Sequence, residues 1–242
     1  MPTALTLAGV DFSANPLIKA LPTIAGLQAW AYFGTDLAHS QNMVAGASAF
    51  THYGTGPTYL SNAIRCPNGV GAIQTPVPAF AAETHLIVCK CNAQSSARGS
   101  VSIVQNLTTG GSSLGFGSLQ GGTFIPQNFT LQNTSGTPGS AVVNVTVPGT
   151  TSHAFYAGTN GGGTIAQAYD LTHATSASAT GTGTNNFFGT HIVGSTAGAP
   201  TTPDTSVDIA FWGYYSAVLT KPQIDAIYAS VKQSLALRGI AV

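Results

Sequence analysis

Charge is scarce in this chain. Seven Lys or Arg and seven Asp or Glu make up 6% of its 242 residues and cancel to a formal net charge of zero. An ordinary soluble domain devotes about 25% of its residues to charge. No field of either sign exists to steer nucleic acid or an anionic membrane surface, so neither partner is expected. Near-zero net charge favours association, and the expectation is a homo-oligomer or larger assembly, a trimer being one such form. Long apolar runs are missing too. None approaches the roughly 20 residues of a membrane helix, so no membrane insertion is expected. Met1-Pro2-Thr3-Ala4-Leu5 lacks the basic region and apolar core of a signal peptide, which reads as synthesis in a cytoplasm without export. Cysteine is limited to Cys66, Cys89 and Cys91. Cys89 and Cys91 lie two apart, on one face of a strand, where a bridge between them would be strained. Buried free thiols follow, and a disulfide scaffold is excluded. Four sequons, at Asn106, Asn128, Asn133 and Asn144, carry little meaning without a secretory route.

What is present is a β pattern. A hydrophobic share of 43% suffices for a core, and a chain of this length fits one large all-β domain. Residues 1–26, with Pro2, Pro16 and Pro22 and little periodicity, read as an extended arm, and 27–242 as a single domain. Short apolar runs at 27–33, 84–91, 100–105, 141–147, 153–157, 164–171, 186–193 and 208–215 are separated by turn formers such as Pro148-Gly149. That spacing predicts a two-sheet antiparallel sandwich or jelly roll. Stretches 108–122, 176–185 and 194–205, made of Gly, Ser, Thr, Ala and Pro, are expected to be long loops at its ends.

One helix is predicted, over 221–238. Thr220 can cap its first turn and Gln223 can return the bond to the Thr220 N–H. Pro222 sits where an N–H would have no intrahelical acceptor. Ile224, Ile227, Tyr228, Val231 and Leu235 recur on one face. Lys232 and Arg238 lie near the negative end of the helix dipole, and Gly239 supplies the left-handed stop. On an unbroken strand before it, Ile209, Phe211, Gly213 and Tyr215 face one way, and Trp212 and Tyr214 the other.

The segment Asp208-Ile209-Ala210, Tyr215, Leu219-Thr220, Ile224 and Tyr228 resembles the closing strand, corner and helix of concanavalin A-like, laminin-G-like jelly rolls. Gly26-Leu27-Gln28-Ala29-Trp30 is similar to their entry strand. Two positions depart from the pattern: Phe211 stands where an acidic residue is common, and Gln223 where a Glu precedes the helical Ile. The resemblance implies two antiparallel sheets, one of them concave, in some members with calcium and sugar at the rim. The arm, the Gly/Thr-rich loops, the low charge and the ending Leu237-Arg238-Gly239-Ile240 also look like a tailed-bacteriophage virion protein. In that setting such jelly rolls serve as tail-fibre or baseplate receptor-binding domains, or as capsid decoration. By that analogy the chain is expected in a virion, touching other virion proteins and host-surface carbohydrate.

Catalytic patterns fail one by one. Glycan-cleaving jelly rolls need paired carboxylates, but the chain has one glutamate, Glu83, and no two acids within two positions of each other. Gly111-Ser112-Ser113-Leu114-Gly115 matches a nucleophile elbow, yet the Gly-rich sequence after it cannot form the helix that motif requires. It reads as a Gly/Ser loop. His39, His52, His85, His153, His173 and His191 show no zinc spacing. Glu83 and His85 share one strand face, where a hydrogen-bonded pair is expected. No enzyme activity is expected and no cofactor is required. For calcium, which needs converging oxygens, the candidates are Asp170, Asp204 and Asp208. For carbohydrate, which stacks on aromatic faces, they are Trp30, Tyr53, Tyr59, Trp212 and Tyr214. The leading expectation is a tail-associated, glycan-recognising virion protein; a capsid decoration protein is the alternative, and a glycan-cleaving enzyme the third reading.

Overall fold

The structure is a computed structural model that describes residues 21–22, 24–67, 70–80, 82–92, 99–107, 113–121, 128–132, 142–146, 151–161, 165–180, 189–194 and 206–242. Most of the predicted arm, residues 1–20 and 23, lies outside the described residues.

Two antiparallel sheets face each other. The first contains β1 (Leu27–Tyr32), β3 (Thr58–Tyr59), β4 (Ile64–Pro67), β6 (Ala82–Cys91), β11 (Ala154–Gly161), β12 (Ile165–Asp170), β13 (Thr175–Thr180) and β15 (Ser206–Tyr215). Its order is β13-β12-β11-β6-β15-β4-β3, with β1 also paired to β15. The second contains β2 (Thr51–Gly54), β5 (Gly71–Pro78), β7 (Gly99–Leu107), β8 (Ser113–Gly121), β9 (Asn128–Gln132), β10 (Val142–Thr146) and β14 (Thr190–Val193). Its order is β10-β9-β8-β7-β14-β5-β2. The two-sheet sandwich expected from the spacing of apolar runs is the observed architecture.

Helix α1 (Lys221–Ala236) closes the fold. The Thr220 N–H donates to Gln223 Oε1 at 2.8 Å, the reciprocal half of a capping box. At the other end the Ile240 N–H donates to the Leu235 carbonyl, and Gly239 takes φ +78°, as a C-terminal stop requires. Arg238 donates to the Phe33 carbonyl and lies over the Tyr32 ring, so it ties the helix end to the chain after β1. Ile224, Ile227, Val231 and Leu235 are buried with Trp30, Leu86, Phe155, Phe211 and Tyr215 on the outer face of the first sheet. The inner face packs Ile64, Ile87, Cys89, Tyr156, Ile209 and Trp212 with Ile73 and Val193 of the second sheet. With cover on both faces, β15 is buried at every position after Ser206. The three cysteines are free and buried.

Three local expectations need correction. The stretch 108–122 contains β8, because strands on both sides satisfy a Gly/Ser backbone that has little propensity of its own. Leu114 and Gly115 of the apparent nucleophile elbow therefore belong to a strand. Likewise 176–185 contains most of β13, an edge strand whose Ser/Ala alternation pairs in register with β12. Finally, β15 is not unbroken. Its pairing with β6 runs Ile209 to Cys89 and then Phe211 to Val88, leaving Ala210 as a bulge residue. The free carbonyl of Ala210 accepts from the Phe33 N–H at 2.9 Å. Val207 and Ile209 share the inter-sheet core with Trp212 and Tyr214, while Ala210, Phe211 and Tyr215 face the helix.

Candidate functional site

The sheets meet along one edge at a sharp corner. β2 ends the second sheet, β3 ends the first, and Thr55-Gly56-Pro57 alone join them. His52, on β2, is exposed, and its Nε2 lies 2.8 Å from the hydroxyl of half-buried Tyr59. Their rings are 5.9 Å apart at 40°. The His52 ring rests on Gly56, where a Cβ would stand 2.8 Å from His52 Cγ. Gly56 also has φ +74°, a conformation open to glycine. Underneath, a Cβ at Gly71 would fall 1.9 Å from the Gly56 carbonyl oxygen. Tyr53 is half-buried beside this pair, and Val70 nearby is 53% exposed. Burial, then Cys66 and Asp36, push the Tyr59 phenol up to about 12, so it stays a neutral hydroxyl able to donate or accept. The corner thus offers ring faces, a hydroxyl and an imidazole side by side.

The aromatic candidates separate on burial. Tyr53 and Tyr59 lie at this corner. Trp30 is under the helix at 4% exposure, and Trp212 and Tyr214 are fully buried between the sheets. Those three present no ring face for a sugar to stack on. His52 was not among the candidates; nothing in its local spacing signals that a tight corner brings it to Tyr59.

Among the described residues, the calcium candidates Asp170 and Asp208 each have partners of their own. Asp208 accepts from Arg65 Nε at 2.7 Å and NH2 at 2.8 Å, and from Asn92 at 2.7 Å. Lys90 Nζ stands 3.6 Å away. Burial raises its carboxyl, but Arg65, Asn92 and Lys90 outweigh that and hold it below its ordinary value. Two cations already compensate it. Asp170 is buried and pairs with His173, accepting from its N–H at 3.1 Å and meeting Nδ1 at 2.7 Å. Asp204 lies outside the described residues.

A second polar cluster sits inside the sandwich. Glu83 and His85 of β6 face His191 of β14, all at 2% exposure or less. Glu83 Oε2 accepts from the Tyr214 hydroxyl at 2.8 Å. The expected Glu83–His85 hydrogen bond is not formed: His85 Nε2 is 3.7 Å from Oε2, beyond hydrogen-bond reach. His191 Nε2 lies 3.7 Å from the same oxygen. The Trp212 indole N–H donates to His85 Nδ1 at 3.3 Å. Tyr214 packs against both imidazoles, its ring centroid 4.6 Å from His85 and 4.3 Å from His191. Burial raises the Glu83 carboxyl and pushes His85 well down; burial, with His85 beside it, brings His191 to about 3. Both imidazoles are therefore neutral.

No protein-family model and no curated protein matches the chain. Solved structures do. One is of botulinum neurotoxin type C, whose cell entry depends on interaction with two ganglioside molecules; it superposes with a TM-score of 0.60 at 10% identity, over 86% of this chain and 51% of that one. The binding domain of botulinum neurotoxin serotype D/C gives a TM-score of 0.62 at 10% identity, over 85% and 52%. The receptor-binding domain of botulinum neurotoxin D gives 0.59 at 10% identity, over 85% and 53%. The chain spans about half the length of these structures, and the likeness is one of fold.

Proposed function

We propose that this chain is a non-catalytic, glycan-recognising module that contacts sugar at the β2–β3 corner. The observation that carries the reading is the exposed His52–Tyr59 pair, held at the shared edge of the two sheets by a Gly56 that leaves room for the ring. Sugar rings pack their C–H faces on aromatic planes, and adjacent donors and acceptors fix orientation. The structural neighbours include a toxin that interacts with gangliosides, which agrees with this class of ligand. The chain's single glutamate is buried and bonded to Tyr214, so it is not poised as one of the two carboxylates of a glycosidase.

The isolated protein, applied to an immobilised glycan array, is expected to retain a subset of glycans, and His52→Ala with Tyr59→Ala is expected to abolish retention. Retention untouched by both substitutions would move the site elsewhere, and no retention at all would end the reading. We extend the proposal to a place in a bacteriophage virion, associated with the tail. Low charge, Gly/Thr-rich segments and the resemblance described above support it, and a head decoration protein is the competing assignment. Copy number in purified particles separates them: a handful per particle fits a tail, and hundreds fit a shell.

A further inference from the structure

The Glu83, His85 and His191 cluster lies within the sandwich and takes no part in the corner. Burying one carboxyl and two imidazoles in an apolar interior is costly unless their polar atoms are matched. His191 is fully buried, and among the described residues neither of its ring nitrogens has a hydrogen-bond partner. Its Nε2 instead points at the oxygen that His85 Nε2 also approaches, both at 3.7 Å. One donor atom from each of the three residues falls within 4.8 Å of the others. Donors on a tetrahedral ion with bonds of about 2.0–2.1 Å stand about 3.4 Å apart. A contraction of a few tenths of an ångström would bring the two imidazole–carboxylate pairs to that spacing.

We propose that Glu83, His85 and His191 bind one divalent transition-metal ion of the zinc class, which clamps the two sheets together. Two neutral imidazoles and one carboxylate suit such an ion, whereas calcium demands a shell of oxygens. The three side chains supply three donors and a water molecule would complete the tetrahedron; because the site is enclosed, its role is structural. The ion links β6 of the first sheet to β14 of the second, elements 106 residues apart at His85 and His191. Tyr214, donating to the carboxylate, is the outer partner that orients a ligand. The proton balance gives a built-in reporter. The Trp212 N–H donates into Nδ1 of His85, so in the ion-free site the proton of that ring is on Nε2. Ligation at Nε2 moves it to Nδ1, and the Trp212 donor loses its acceptor. Glu83 releases any proton it carries.

The test uses the full chain, unfolded and refolded with one equivalent of Co(II) and, separately, of Zn(II), since the enclosed site admits an ion best during folding. The expected results are one metal per chain, the intense visible bands of four-coordinate Co(II), a changed Trp212 emission, and a higher Tm with Zn(II) that chelator reverses. His191→Gln and Glu83→Gln should each weaken binding at least about tenfold, as loss of even an outer partner can. His39→Ala, which removes an exposed imidazole, should leave it unchanged. Two outcomes overturn the proposal: no cobalt bands and no Tm rise in the unsubstituted chain, or binding lost in His39→Ala and kept in His191→Gln. The unsubstituted chain decides the matter even where a variant fails to fold.

Discussion

Arg65 grips Asp208 at two points, Nε on Oδ1 at 2.7 Å and NH2 on Oδ2 at 2.8 Å, across the pairing of β4 with β15. The Asp208 side chain is almost wholly buried while that of Arg65 is 43% exposed. Asp208→Asn is expected to lower unfolding stability by about 1–3 kcal/mol, the range for hydrogen bonds to a charged group lost from a buried site. The acid limb gives a second check. The folded carboxyl sits below its ordinary 3.8, so the pair's contribution is complete above that pH and is lost as pH falls through the folded value. In urea melts the unsubstituted protein should lose stability below about pH 4 more steeply than Asp208→Asn.

His153 answers to the same cluster. Burial holds its imidazole down at about 4, Lys90 pushes the same way, and Asp208 opposes. Its folded value lies below the 6.5 of the unfolded chain, so its neutral form favours folding above pH 6.5 and that preference fades as pH falls toward 4. A titration followed by imidazole NMR should place its midpoint near 4. Asp208→Asn should move it lower and Lys90→Met higher; an unmoved midpoint would contradict the electrostatic account.

Gly71→Ala is expected to open the β2–β3 corner. The added carbon would fall 1.9 Å from the Gly56 carbonyl oxygen, and backbone, unlike a flexible side chain, cannot swing away. A loss of about 1–3 kcal/mol, occasionally more, is the usual cost of overpacking. It should appear as a lower Tm together with weaker glycan retention, because His52 and Tyr59 share that corner.

Deleting Ala210 is expected to keep the fold at lower stability. With the bulge residue gone, strict alternation from Ile209 still turns Phe211 toward the helix and Trp212 and Tyr214 toward the second sheet; what is lost is the carbonyl that accepts from the Phe33 N–H. Ala210→Gly keeps the residue count and should cost no more than about 1 kcal/mol. Near-ultraviolet circular dichroism of both variants checks this; loss of the native spectrum in the deletion would refute the register argument.

Readable from residues alone were the elements whose signals are local. The capping residues Thr220 and Gln223, the stop at Gly239 and the apolar face from Ile224 to Leu235 lie within a few turns of one another. β8 and β13 were hidden, because Gly, Ser and Ala become strands there through their neighbours. The bulge at Ala210 was hidden as well, since its cause is the Phe33 N–H, remote in sequence. Glu83 and His85 could be placed on one strand face, but His191 reaches them only through the stacking of two sheets. His52 and Tyr59 meet because a three-residue corner folds back, which no periodicity reports.

β15 holds three partners at once: β6 along one side, and β4 followed by β1 along the other. The centre of the first sheet is therefore supplied by residues 206–215, long after its flanks have been synthesised. Until that segment emerges, β6 and β4 each keep one edge of unpaired amides, open to adhesion by other nascent chains. Closure of the sheet thus waits for residues 206–215 and is expected to be slow, as in other architectures dominated by distant pairings. A ribosome stalled before Ser206 would hold an unclosed sheet.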